Sequence, residues 1–120
     1  MGLAFNASAQ DKLFYLEDSS LYMNQQNETF KKIIPILHKY KMNEGGYCIS
    51  GIIEIYISKN NPEIIEYLDF NPESDMIEIN FMTDDDKISH SVCDDLNSFF
   101  EDLVSFEKFI SKINPDDLDF

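Results

Sequence analysis

Two cysteines and two histidines are the residues of this chain best suited to metal or nucleophile chemistry: Cys48, Cys93, His38 and His90. Together they could form a zinc quartet. Structural zinc sites bring their ligands as close Cys or His pairs, and no such pair exists here. Cys93 with His38 or His90 and a nearby Asp could act as a thiolate nucleophile, but no strained nucleophile-turn motif accompanies it. Asp94 and Asp95 follow Cys93 directly and should raise its pKa, which weakens the thiolate. Asp84-Asp85-Asp86 could open a calcium loop. An EF-hand needs Gly at the sixth position and Glu at the twelfth, and this chain has Ser89 and Asp95 there. Gly45-Gly46 lacks the further glycines and the lysine of a phosphate loop. With 23 acids in the chain, paired carboxylates at any separation are expected, so no pair marks glycoside chemistry. The spacing predicts no enzyme, no metal and no cofactor, and packing cysteines and histidines without chemistry.

The elements that would position these residues can be read from periodicity. Lys12 to Glu17 and Leu21 to Asn24 are β-prone runs around the turn-rich Asp18-Ser19-Ser20, a predicted hairpin. Phe30, Ile33, Ile34, Leu37 and Tyr40 form one helical stripe behind the cap residue Asn27. Pro35 inside it predicts a kink or a later start, and Gly45-Gly46 an end. In Tyr47 to Ser58, five isoleucines favour strand. Ile49, Ile52, Ile53, Tyr56 and Ile57 nevertheless fall on a helix face, and the pattern predicts helix. Asn61-Pro62-Glu63 reads as a fresh helix start. Glu66 to Phe70 and Met76 to Phe81 predict a second hairpin across residues 71–75.

Residues 87–93 fit two readings. Ile88, His90 and Val92 alternate with serines as in a strand, while Ile88, Val92, Leu96, Phe99 and Leu103 suit one long helix. Both give helix from about Asp95 to Leu103. Ser105 is the expected cap of a last helix bearing Phe106, Phe109, Ile110 and Ile113, stopped by Asn114-Pro115. Most of the aromatic residues among these acids belong to the core by their spacing, leaving Phe120 as the exposed one. The predicted fold is α+β, a small antiparallel sheet of hairpins packed by helices on one side. It forms a single domain over residues 1–120 with an acidic tail at 114–120.

Charge narrows the function. Through Pro62, six acids balance six lysines; from Glu63 onward seventeen acids face three lysines, which accounts for the whole formal charge of −14. No arginine occurs. A binder of nucleic acid needs Lys and Arg to neutralise phosphates, so the charge argues against direct nucleic-acid binding. One-signed charge also destabilises the compact state, and a purely solubilising surface would intersperse lysines. The distribution suits a basic partner. The densest acids lie after Thr83, with Lys87 the only lysine close by, and predict the contact set Asp84, Asp85, Asp86, Asp94, Asp95, Glu101 and Asp102. The 43% hydrophobic content, with sixteen Phe and Tyr residues, predicts a folded chain despite the charge.

Two isolated cysteines predict reduced thiols in a cytosolic protein. Ala7-Ser8-Ala9 looks like a signal-peptidase site but has no basic region before it and too short an apolar run. Asn6 replaces the Ser or Thr of a myristoylation signal. The apolar stretch Ile49 to Ile57 is interrupted by Ser50, Gly51 and Glu54, so it cannot span a membrane. A soluble, cytoplasmic protein is expected.

Gly45-Gly46-Tyr47 stands between two helical segments, and Asp69-Phe70-Asn71-Pro72-Glu73-Ser74-Asp75-Met76 leads into a hydrophobic strand. With the helix ending Phe99-Phe100-Glu101-Asp102, this resembles the immunity protein 51 family of bacterial polymorphic toxin systems over roughly residues 28–113. Within the matching motifs, Gly45, Gly46, Tyr47, Asp69, Pro72 and Glu73 are the family-like positions. Asn71 stands where that family usually has Asp, and Cys48-Ile49 where it has Asp-Trp. The resemblance implies an α+β protein that binds and neutralises a cognate toxin, often a nuclease, made by the same cell. An acidic mimic of nucleic acid, blocking a DNA- or RNA-binding protein, is the alternative, and a small metal-binding protein a third.

Overall fold

A computed structural model of the protein describes residues 12–118. The readings at Asn6, Ala7-Ser8-Ala9 and Phe120 lie outside the described residues. The architecture of the described residues is α+β: a four-stranded antiparallel sheet and four α-helices around one hydrophobic cluster. Among the described residues, no helix is long and apolar enough to cross a membrane.

β1 (Phe14–Glu17) and β2 (Ser20–Met23) form the first predicted hairpin, with Glu17 opposite Ser20. Asp18 takes φ 55°, the positive angle that tight two-residue hairpin turns require. β3 (Leu68–Phe70) and β4 (Glu78–Phe81) form the second hairpin, and β2 pairs with β4 to give the order β1-β2-β4-β3. β4 begins two residues later than expected because Glu73 and Met76 bond each other across a tight turn. Leu21, Met23, Ile79 and Phe81 are buried on the inner face, with Tyr22, Glu78 and Asn80 alternating outward.

α1 (Glu28–Lys39) starts at Asn27, whose side-chain oxygen accepts from the Thr29 N–H at 2.8 Å. The helix runs through Pro35 and does not begin there. Pro35 and Lys31 are exposed, so the Lys31 carbonyl that loses its donor faces water. Gly45-Gly46 does not end this helix. Lys41, at φ 63°, does: its N–H reaches the His38 carbonyl at 3.1 Å and the Met42 N–H reaches the Leu37 carbonyl at 2.9 Å. This bond pair normally places glycine where Lys41 stands. Lys41→Gly is therefore expected to stabilise the fold by about 0.5–1 kcal/mol, read as a shifted urea midpoint at constant slope.

α2 (Gly46–Asn60) confirms helix over strand for the isoleucine-rich segment. Cys48, Ile49, Ser50, Ile52, Ile53 and Ile57 are all buried, so the helix is enclosed on most sides and its β-branched residues are held by packing rather than propensity. The predicted start at Pro62 forms a 3₁₀ turn, Pro62–Tyr67, without a side-chain cap from Asn61. That turn takes Glu66 and Tyr67 out of the expected strand.

α3 (Asp86–Glu101) resolves residues 87–93 as helix. Asp85 caps it, accepting from the Lys87 N–H at 2.9 Å, and Val92, Leu96, Phe99 and Phe100 lie in the core. The helix stops at Glu101, two residues before the expected Leu103. α4 (Leu103–Ile110) is capped by Asp102, not by Ser105: one Asp102 oxygen accepts from the Ser105 N–H at 3.2 Å and the other from the Ser105 hydroxyl at 2.9 Å. Phe99, Phe100 and Phe106 are buried, and Tyr56 stacks on Phe99 at 4.0 Å between centroids. Residues 114–118 are not a free tail. Asn114 caps a 3₁₀ turn, Pro115–Asp117, and Leu118 is buried.

Candidate interaction surface

The seven acids singled out by sequence separate into two groups. Asp84, Asp85 and Asp86 sit at the start of α3; Asp94, Asp95, Glu101 and Asp102 lie on or just beyond its second half, all exposed. At 1.5 Å per residue, Asp86 and Glu101 are about 22 Å apart along the helix. The two groups therefore lie toward opposite ends of α3.

Local physics explains the first group. Asp85 is the helix cap, and the Thr83 hydroxyl accepts from the Asp85 N–H at 3.2 Å. The Asp86 carbonyl accepts from the Ser89 hydroxyl at 3.1 Å and lies 2.7 Å from His90 Nδ1. Three carboxylates at a helix N-terminus also face the positive end of its dipole. The second group is divided. Asp102 caps α4, and its hydrogen bonds from Ser105 hold its carboxyl below the usual range. Asp95 accepts from the Tyr56 hydroxyl at 3.0 Å. Burial first, then that carboxylate, push the Tyr56 hydroxyl up to about 12.

Asp94 and Glu101 have no such role. They are i, i+7 on one face of α3, with Ser98 between them. No hydrogen bond or ion pair among the described residues involves either side chain; the described ion pairs are His38–Glu44 at 2.8 Å and Lys39–Glu107 at 2.7 Å. Glu101 stands in the last turn of α3, where the dipole disfavours an anion and no basic residue compensates. Among the described residues, neither carboxylate contributes a bond to the fold.

Both line a groove of about 430 Å³ between α3 and the outer edge of β1, together with Lys12, Leu16, His90 and Ser98. Phe14 and Cys93 form its floor. Asn97 closes the same edge further along. Its side-chain oxygen accepts from the Phe14 N–H at 2.8 Å and its side-chain nitrogen donates to the Phe14 carbonyl at 3.0 Å. Asn97 is 93% buried, and sequence reasoning passed over it. The available signal was one polar residue on the helical stripe formed by Cys93, Leu96 and Phe100.

The Cys93 thiol is buried and donates weakly to the Phe14 carbonyl at 3.5 Å. Burial first, and then Asp94, push it up to about 11; Asp95 faces Tyr56 instead. Burial likewise raises Cys48. His38 and His90 are both exposed. Among the described residues, no three His, Cys, Asp or Glu side chains are placed to hold a metal ion.

Of the family-like residues, Gly45, Gly46 and Glu73 meet at the hairpin loop between β3 and β4. Gly45 is the cap of α2, and the Gly46 N–H donates to the Ser74 carbonyl at 3.2 Å. Gly46 lies directly against the Glu73 and Met76 carbonyl oxygens, and Gln25 bonds the Asp75 carbonyl of the same turn. Tyr47 and Asp69 are exposed, and Pro72 is half-buried at the base of the turn. The arrangement locks a helix start onto a hairpin loop, a packing role. No protein-family model, curated protein or solved structure matches this chain.

Proposed function

We propose that the chain is a non-enzymatic immunity protein that occludes a basic cognate toxin domain, a nuclease by preference, inside the cytoplasm of the cell that makes it. The observation that carries this reading is the pair Asp94 and Glu101: exposed carboxylates, unpaired among the described residues, one of them against its helix dipole. Exposed charges that break a local rule, as Glu101 does at its helix end, or that make no structural bond, are expected at functional surfaces. A basic cleft that holds nucleic acid presents the complementary potential, and matched potentials speed encounter and exclude wrong partners. The motifs shared with the immunity protein 51 family point to the same partner class. Neither direct nucleic-acid binding nor membrane insertion is part of the proposal.

Capture from lysate of the native cell, followed by co-expression, tests it. The expected partner is a basic toxin domain whose expression arrests growth unless this chain is present. A host DNA-binding protein as the stoichiometric partner would instead support nucleic-acid mimicry. The association rate with the captured toxin should fall steeply with salt. The Debye length shrinks from about 30 Å at 0.01 M to about 8 Å at 0.15 M, while dissociation changes less. A rate flat in salt would mean that the acids serve solubility alone.

A further inference from the structure

The outer edge of β1 is half closed. In the β1–β2 ladder, Glu17 pairs with Ser20 and Tyr15 with Tyr22, so the backbone groups of Glu17 and Tyr15 face β2. The Asn24 N–H to Leu13 carbonyl bond, 2.6 Å, continues that alternation. Phe14 and Leu16 must therefore direct their N–H and C=O away from the sheet. Asn97 takes both groups of Phe14, as an added strand would. Nothing among the described residues takes those of Leu16. Leu16 lines the groove that Asp94 and Glu101 also line.

Open strand edges are templates for further pairing, and folds usually blunt them with lysine, proline or a cover. Here the cover ends after one residue, and the groove beyond it has an apolar floor and, on its helical wall, two carboxylates that form no ion pair among the described residues, against a single lysine, Lys12, in the lining. We propose that this groove receives an extended, lysine- or arginine-bearing segment of the partner. That segment adds to β1 through main-chain bonds at Leu16 and directs basic side chains to Asp94 and Glu101. The inference rests on the proposed acidic-inhibitor reading and specifies how its partner is held. Main-chain pairing would supply affinity and the two carboxylates the choice of sequence. The groove volume, about 430 Å³, lies within the range of small-ligand sites and suits a short strand rather than a folded surface.

The test uses the whole chain and a probe of defined chemistry, the hexapeptide Lys-Val-Lys-Val-Lys-Val, with Glu-Val-Glu-Val-Glu-Val as the control. Amide exchange is followed by NMR. In the free protein the Leu16 amide should exchange rapidly and the Phe14 amide slowly, because Asn97 holds only the latter. Saturating basic peptide should slow Leu16 exchange by about tenfold or more and leave Phe14 unchanged, whereas the acidic peptide should do neither. Asp94→Asn with Glu101→Gln should weaken the peptide and leave the free protein's exchange pattern intact. Leu16→Pro removes the donor on the open side, where proline is tolerated, and should abolish binding; its circular dichroism reports whether it folds. Three results would overturn strand addition: no binding of the basic peptide, binding that leaves Leu16 exchange unchanged, or Leu16 protection that grows with protein concentration alone. The first two could occur while a captured toxin still binds with salt-sensitive kinetics, so the loss of this inference is separable from loss of the acidic-inhibitor reading.

Discussion

Gly46→Ala is expected to destabilise the protein by about 3 kcal/mol or more, since the overlap it creates is with backbone that cannot rotate away. A methyl group at Gly46 would fall inside the Glu73 and Met76 carbonyl oxygens, far closer than any real Cβ contact. Either α2 or the 73–76 turn must move. Moving the turn breaks the Gly46 to Ser74 bond and disturbs the entry to β4, where Ile77 and Ile79 are buried. Gly51→Ala in the same helix is the control. Its Cβ would meet only the flexible end of Leu118, at 3.0 Å, and alanine adds up to about 1 kcal/mol of helix propensity. Urea denaturation of the two variants should differ sharply in midpoint. If Gly46→Ala unfolds with wild-type energetics, the helix start is not seated against the turn.

Asn97→Ala is expected to cost about 2–4 kcal/mol, because the buried Phe14 N–H loses its partner and the Phe14 carbonyl keeps only the weak Cys93 thiol donor. The packing of Phe14 against Phe100, 4.9 Å between centroids, depends on the strand staying in place. Asn97→Asp separates hydrogen bonding from size. The aspartate still accepts from the Phe14 N–H, but it loses the donor and sets a carboxylate against the Phe14 carbonyl. Burial and that oxygen would raise its folded-state pKa above the unfolded value near 3.9. The acid is protonated more readily in the folded state, so the deficit relative to wild type should shrink as pH falls from 7 toward 4. Equal stability of Asn97→Ala and the wild type in thermal melts would remove the edge clamp from the account of this fold.

Both residues bear on function through the surfaces they hold. Asn97 fixes the edge of β1 beside Asp94 and Glu101, and Gly46 fixes the turn that carries the family-like Pro72 and Glu73. A loss of partner binding in either variant therefore has to be compared with its loss of stability. The Asp94→Asn, Glu101→Gln pair has no such ambiguity, because neither side chain bonds any described residue.

What the sequence determined by itself was local. The Asn27 cap, the stripe from Phe30 to Tyr40, the helical spacing of Ile49 to Ile57, the turn at Asp18 and the concentration of charge after Glu63 each depend on residues within a few positions of one another. Those features set hydrogen-bond partners and the buried face before any long-range contact exists. What only the tertiary structure decided was non-local. Residues 87–93 satisfied both periods, and the buried bed beneath α3, together with the Asp85 cap, selected helix. The joining of the two hairpins through β2 and β4 cannot be read from either hairpin alone. Nor does any neighbour of Asn97 or Gly46 in sequence reveal its role, since their partners lie 83 and about 30 residues away. The acids show the same division: their number and sign belong to composition, but capping consumes Asp85 and Asp102, a tyrosine hydroxyl consumes Asp95, and Asp94 and Glu101 form no ion pair among the described residues although Lys12 lines the same groove.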